Sequence, residues 1–129
     1  MIVDASAIVA ILGREPEADR LSTRLRAAPR RSTHPISIYE AVLAVERLTR
    51  GTADRARALV DDFMSDLDVE VLGIGSAEAA AATDAFARYG KGRHPASLNM
   101  GDCFSYAVAK LRGAPLLYKG DDFALTDLA

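Results

Sequence analysis

Four stretches of the chain place acids where an acid is either costly or useful. Asp4 ends the apolar run Met1-Ile2-Val3 and is followed by the small residues Ala5 and Ser6. A carboxylate at the end of a buried strand loses its hydration unless a partner compensates. Glu40 closes Ser37-Ile38-Tyr39-Glu40, and Asp102 lies in Asn99-Met100-Gly101-Asp102. Asp121 and Asp122 follow the apolar stretch Leu116-Leu117-Tyr118 through Lys119-Gly120. Gathered together, such carboxylates repel one another unless hard divalent cations sit among them, and an all-oxygen set suits Mg²⁺ or Mn²⁺. One or two such ions can hold a phosphodiester, activate a water and stabilise the leaving oxygen.

Taken singly, most of these acids also have an ordinary structural reading. Ser37 and Glu40 have the spacing of a capping box, in which Glu40 only reaches back to the backbone of Ser37. Asp102 could simply favour the dipole of its helix. Gly120-Asp121-Asp122 has the composition of a plain turn. Asp4 is harder to set aside, because a strand-end acid needs a partner.

Other chemistries have less to build on. The two histidines, His34 and His94, both precede prolines, and neither pairs with a nucleophile in the sequence. Cys/His spacing for zinc is missing, as are a Walker A motif and a GxGxxG motif. Cys103 sits in an apolar helical stretch and reads as core, and being the single cysteine it has no partner for an internal disulfide. That count suggests a reducing compartment. The net charge of −2 argues against a binder that holds nucleic acid by electrostatics alone. Any contact with nucleic-acid phosphates must then come from metal ions or local basic patches. Candidates are Arg14, the cluster Arg24, Arg26, Arg30 and Arg31, and the loop residues Lys91 and Arg93. The bland reading of the arginine cluster is a solvated helix end. No signal peptide is expected, and no window approaches the roughly 20 apolar residues of a membrane span, so a cytoplasmic location is expected.

The elements that must position the acids alternate. Met1 to Asp4 reads as a strand and Ser6 to Leu12 as a short apolar helix ended by Gly13. Pro16 fits the first turn of a second helix with Ala18, Leu21, Leu25 and Ala28 on one face, stopped by Pro29. A brief extended piece, Arg31 to His34, leads to a helix capped by Ser37 with Ile38, Ala41, Val42, Val45 and Leu48 along one face. Thr52 caps the next, whose stripe Ala56, Leu59, Val60, Phe63, Met64, Leu67 is the strongest in the chain. Val69 to Ile74 suggests another strand. Ser76 and Glu78 open an alanine-rich helix, and Asn99 to Asp102 opens a helix with Phe104, Val108 and Leu111 inward. Pro115 to Tyr118 is a further strand. This order predicts one α/β domain over residues 1–129 with a mainly parallel sheet. In such a sheet, strand C-termini and the helix starts that follow them share one edge, so acids far apart in sequence can converge.

The sequence also resembles a known family. Ile2-Val3-Asp4-Ala5-Ser6-Ala7, Ser37-Ile38-Tyr39-Glu40, Leu98-Asn99-Met100-Gly101-Asp102-Cys103-Phe104-Ser105-Tyr106-Ala107, Leu117-Tyr118-Lys119-Gly120-Asp121-Asp122-Phe123 and Thr126-Asp127-Leu128, in this order, resemble the PIN-domain ribonucleases. The likeness is closest to the VapC toxins of bacterial toxin–antitoxin systems and spans nearly the whole chain. It implies a Rossmann-like α/β/α sandwich with a central parallel sheet. It also implies an acidic quartet of Asp4, Glu40, Asp102 and Asp122, with Asp121 auxiliary. Asp4 and Asp102 would be the principal Mg²⁺ ligands, with Glu40 and Asp122 completing the site directly or through water. Ser6 would support Asp4 or a metal-bound water, and Asn99 would cap the Asp102 helix or touch substrate.

The implied reaction is Mg²⁺-dependent (or Mn²⁺-dependent) endonucleolytic hydrolysis of RNA by water, leaving a 5′-phosphate and a 3′-hydroxyl and blocking translation. The implied partners are a VapB-type antitoxin, whose C-terminal segment fills a hydrophobic groove and whose arginine reaches the acids, and a second copy in a homodimer. The exposed side of Ile8 to Leu12 is a candidate for groove surface, with ordinary core as its plain alternative. The competing reading is a catalytically inert PIN-like module that binds RNA or antitoxin. A haloacid-dehalogenase phosphatase would need a second acid where Ser6 stands, and a receiver domain would need an acid pair near the first strand.

Overall fold

The computed structural model describes residues 1–128. The four strands are short: β1 (Ile2–Val3), β2 (Ser32–Thr33), β3 (Glu70–Val71) and β4 (Leu116–Leu117). Six helices alternate with them: α1 (Ala5–Leu12), α2 (Ala18–Ala27), α3 (Pro35–Thr49), α4 (Ala53–Asp66), α5 (Ser76–Tyr89) and α6 (Met100–Arg112). A 3₁₀ turn, Phe123–Leu125, follows β4. The sheet is parallel throughout, in the order β3-β2-β1-β4. β1 is therefore central, and the strand order reverses beside it. In open α/β sheets that reversal opens a crevice at the carboxyl ends of the strands, where Asp4 stands.

Alternation along two-residue strands is enough to build two cores. Val3 and Leu117 face one side and pack with Ile8, Leu21, Leu25, Val45, Val60 and Phe63 from α1 to α4. Ile2 and Leu116 face the other and pack with Ala82, Ala85, Tyr89, Tyr106 and Val108 from α5 and α6. The expected sandwich, with a central parallel sheet between helical layers, is what forms.

Several local expectations are corrected. The extended piece at Arg31 to His34 is a full sheet strand, β2, paired on both sides. It carries no apolar alternation; Thr33 is buried and its hydroxyl donates to the Val3 carbonyl at 2.7 Å. α3 begins at Pro35, not Ser37. His34 is its N-cap, its Nδ1 accepting from the Ser37 N–H at 3.4 Å, and Pro35 takes the first helical position, where its missing N–H costs nothing. No capping box links Ser37 and Glu40, and Glu40 falls in the second turn. α5 opens at Ser76 as expected, with Gly75 as its N-cap and the Gly75 N–H donating to Glu78 Oε2 at 2.9 Å. Leu48 and Leu111 point to solvent, whereas Val45 and Val108 are buried.

Candidate active site

Asp4 is 3% exposed and is the N-cap of α1. Its backbone N–H donates to the Leu117 carbonyl at 2.9 Å, which ties it to β4. Both carboxylate oxygens are held. Oδ2 accepts from the Ser6 N–H at 2.9 Å and from Ser6 Oγ at 2.6 Å, and Oδ1 accepts from Ser105 Oγ at 2.5 Å. Ser6 also takes the Lys119 N–H at 3.0 Å, so the residue next to Asp4 anchors the turn after β4. Hydrogen bonds of this kind offset the hydration that a buried carboxylate loses.

Glu40 reaches the same place from α3. A Cβ on Gly101 would stand 2.0 Å from Glu40 Oε1 and 2.4 Å from Cδ, so the Glu40 carboxyl rests directly on the start of α6. Only a residue without a side chain leaves room for it. Burial, followed by the charges of Asp4 and Asp102, pushes the Glu40 carboxyl up to about 7. Asp102 sits one residue on. Asn99 Oδ1 accepts from the Asp102 N–H at 2.9 Å, and the Asn99 N–H donates to Asp102 Oδ2 at 3.0 Å. This is the capping box that the spacing suggested for Ser37 and Glu40; it occurs at Asn99 and Asp102 instead. Burial raises the Asp102 carboxyl to about 6, with the charges of Asp4 and Asp122 adding to the rise and the Asn99 N–H opposing it.

Asp122 is exposed at the start of the 3₁₀ turn, which the buried Phe123 pins against α6 and its neighbours. Its charge is felt by Asp102, whereas that of Asp121 does not figure there. Asp121 spends its carbonyl on the Ala124 N–H. Asp127, from the closing Thr-Asp-Leu, faces elsewhere: Tyr106 Oη donates to its Oδ1 at 2.6 Å and Lys110 Nζ to its Oδ2 at 2.9 Å. It fastens the end of the chain to α6.

Asp4, Glu40, Asp102 and Asp122 thus share one electrostatic neighbourhood. Among the described residues, however, no three His, Cys, Asp or Glu side chains already stand close enough to hold one ion. Carboxylates that share a neighbourhood repel one another, and a bound dication would offset that repulsion. All the donors are hard oxygens, and Asp4 and Glu40 come from different layers onto the α6 start, so the set fits Mg²⁺ or Mn²⁺ better than zinc.

Beside the acids, a groove between α1 and α3 is lined by Ser6, Val9, Glu15, Glu40, Arg47 and Lys119. Lys119 Nζ pairs with Glu15 Oε1 at 2.7 Å. Sequence reasoning missed Arg47 and Lys119, since neither belongs to a basic run. Of α1, Ile8 and Ala10 are fully buried, while Val9, Ile11 and Leu12 are half-buried against the core, so most of that stripe is core.

The expected basic residues fall in three places. Arg14 is exposed in a left-handed turn (φ 52°) between α1 and α2. Lys91 and Arg93 lie on the loop that delivers the start of α6, with the Arg93 guanidinium 5.2 Å from the Phe86 ring centre. Arg24, Arg26, Arg30 and Arg31 gather where β1 and β2 begin, at the sheet edge opposite Asp4. There Met1 N donates to the Arg30 carbonyl, and Arg31 donates to the carbonyls of Leu67 at 2.7 Å and Arg26 at 2.8 Å. Arg31 is thereby a fastener between α2 and α4. Cys103 is buried, and burial pushes its thiol up to about 11, which leaves no thiolate for catalysis.

His34 was passed over in the sequence because it precedes a proline. It is fully buried, and its Nε2 lies 2.9 Å from Ser105 Oγ and 3.0 Å from Ser37 Oγ. Burial lowers its basicity, against an opposing pull from Asp4. The only sequence signal for this group was a histidine at the Ncap position before Pro35 at N1.

Comparison with known proteins agrees with the fold. Residues 1–128 match the PIN domain family. The chain is 48% identical to a VapC ribonuclease of Rhizobium meliloti (strain 1021), covering 98% of this chain and 97% of that protein. It is 43% identical to a ribonuclease VapC of Mycolicibacterium smegmatis, covering 100% and 98%. Among solved structures it is similar in fold to Mycobacterium tuberculosis VapC20, a sarcin-ricin loop cleaving toxin, with a TM-score of 0.72 at 20% identity over 95% of this chain and 92% of that one. It also resembles a chain of a toxin–antitoxin complex from Klebsiella pneumoniae, with a TM-score of 0.69 at 17% identity over 98% and 92%. With a β1-end aspartate, a crossover glutamate and a capped α6 aspartate at one edge of a parallel sheet, and with these relatives spanning its whole length, this chain belongs to the PIN-domain family, among the VapC ribonucleases.

Proposed function

We propose that this protein is a divalent-metal-dependent endoribonuclease, the toxin of a toxin–antitoxin pair. The observation that carries the reading is the Glu40 carboxyl lodged against Gly101 at the start of α6, where the charges of Asp4 and Asp102 oppose its ionisation and that of Asp4 opposes the ionisation of Asp102. A protein with no use for that repulsion would be more stable without it. Asp4 and Asp102 would be the principal ligands of Mg²⁺ or Mn²⁺, with Glu40 and Asp122 completing the set and Asp121 beside it. Bound there, the ion would supply positive charge for the scissile phosphate and for water activation.

The chain's own residues do the rest. Ser6 and Ser105 hold Asp4 in one orientation. Asn99 fixes Asp102 on the first turn of α6 and occupies one of its oxygens, so the other would be available to a cation. Glu40, whose carboxyl titrates at about 7 without a cation, can take a proton from the attacking water at its Oε atoms. Arg47 and Lys119 beside the acids, Lys91 and Arg93 on the loop before α6, and Arg14 would contact phosphates of the RNA. The α1/α3 groove with Val9 and Ala44 on its wall leads to Glu40 and would take an apolar segment of a VapB-type antitoxin. The apolar groove of α5 and α6, with Phe86, Met100 and Phe104, is a surface that a second copy would cover in a homodimer. The setting would be the cytoplasm, and the consequence of cleavage a block in translation.

The reading is tested on protein freed of antitoxin and incubated with total RNA. Cleavage with Mg²⁺ or Mn²⁺ that stops with a chelator and leaves 5′-phosphate and 3′-hydroxyl ends is expected. Products with 2′,3′-cyclic phosphate ends, or no cleavage with any divalent ion, would overturn it.

A further inference from the structure

Behind Asp4 lies a polar chain that the proposed reaction does not itself use. His34, Ser37 and Ser105 are each fully buried, and they come from α3, its cap and α6. The direction of the chain follows from its ends. The Ser105 hydroxyl donates to Asp4 Oδ1, so its hydrogen points to that oxygen. At the other end His34 Nδ1 faces the Ser37 N–H and must also accept. A neutral imidazole then carries its hydrogen on Nε2, which faces Ser105 Oγ at 2.9 Å and Ser37 Oγ at 3.0 Å. Ser37 Oγ in turn lies 3.3 Å from Ser105 Oγ. Every hydrogen in the network can therefore point toward Asp4, and a hydroxyl that accepts one hydrogen bond donates a stronger one.

Resting on the carboxylate metal site proposed above, we propose that Ser105 and His34 are positioning residues for it: the one-way chain His34 Nε2–H to Ser105 Oγ and Ser105 Oγ–H to Asp4 Oδ1 fixes the Asp4 carboxylate against its acidic neighbours. Ser6 grips only Oδ2. Without a donor on Oδ1 the carboxylate is free to turn away from Glu40 and Asp102, and each incoming cation must reorder it. Neither Ser105 nor His34 is open to substrate, so their effect passes through Asp4 alone.

Two variants separate this role from plain packing. Ser105→Ala removes one oxygen. His34→Asn keeps an acceptor for the Ser37 N–H, and asparagine is a favoured N-cap, so α3 stays capped while the donor to Ser105 is lost. His34→Gln places an amide N–H where Nε2 stood and should restore the chain. Circular dichroism and thermal unfolding establish that each variant folds. Mn²⁺ binding is then measured by titration calorimetry, and RNA cleavage gives kcat and KM. Loss of a hydrogen-bond partner behind a ligand costs about 10–100-fold in metal affinity, so Ser105→Ala should bind Mn²⁺ about 10-fold more weakly. His34→Asn should weaken in the same direction, with His34→Gln recovering, and kcat should fall while KM for RNA holds. In the wild type, a ¹⁵N imidazole spectrum should show the Nε2–H tautomer for His34. Mn²⁺ affinity within about twofold of the wild type in both Ser105→Ala and His34→Asn, on the scale of such effects, would overturn this inference alone. Failure of the wild type to bind Mn²⁺ would overturn the metal site and the inference with it.

Discussion

Replacing Glu40 with glutamine is expected to stabilise the cation-free protein while destroying its activity. In the unfolded chain the Glu40 carboxyl ionises at its ordinary 4.5; in the folded chain, burial and the charges of Asp4 and Asp102 raise this to about 7. At about 1.36 kcal/mol per pH unit, carrying the charged form would cost the fold roughly 3.4 kcal/mol. The carboxylate is partly open to solvent, and screening reduces this to about 1–2 kcal/mol. Because the folded state holds the proton more tightly, the cost is absent below about pH 4.5, grows as pH rises, and is complete above about pH 7. The variant has no charge to carry. At roughly 3–4 °C per kcal/mol for a chain of 129 residues, it should unfold about 4–6 °C above the wild type near pH 8. Near pH 5 most of the gap should close. Thermal unfolding in a chelator at both pH values measures this. Mg²⁺ should raise the wild type more than the variant, because it binds the charge that glutamine lacks. Equal unfolding temperatures near pH 8, or a gap of the same size at both pH values, would refute the reasoning.

Three further outcomes follow from the geometry. Gly101→Ala places a methyl 2.0 Å from Glu40 Oε1 and must displace that carboxyl; a shift of about 1 Å at a reacting centre can cost roughly 100-fold in rate, while alanine's helix preference of about 1 kcal/mol protects the fold. Cleavage rate and unfolding temperature should therefore part company in this variant. Tyr106→Phe removes the 2.6 Å bond to Asp127, which is partly solvent-exposed, so urea unfolding should show a loss of about 1 kcal/mol with cleavage unchanged. Lys91→Ala with Arg93→Ala should weaken RNA binding and lower its salt slope by about 1 per residue in filter binding, whereas Arg24→Ala with Arg26→Ala, at the far sheet edge, should leave cleavage as it was.

Much of this was legible from single residues. A strand ending in Asp4 announced a site, because the cost of burying that charge does not depend on context. The Asn99 and Asp102 spacing held a cap that the structure contains. The Ser37 and Glu40 spacing looked the same and contains none, because Pro35 starts the helix one turn earlier and turns the Ser37 hydroxyl inward. β2 was readable only as an extended piece: two residues bounded by arginines and a histidine show no period, and their pairing is set by β1 and β3. The chain from His34 to Asp4 spans 71 residues between His34 and Ser105 and a further 101 back to Asp4, and no local pattern encodes such contacts. The place of the arginine run in the fold was not legible for a related reason. Its charges are local, but which sheet edge they occupy depends on strand direction, and the structure sets them opposite the acids.

The central claim is that four carboxylates hold a divalent ion that cuts RNA. It is tested most directly by cleavage of RNA with Mn²⁺ by the wild type, Asp4→Asn and Asp102→Asn, each verified as folded. The account predicts cleavage by the wild type that a chelator abolishes, and none by either variant. Cleavage that survives both substitutions or the chelator would contradict it.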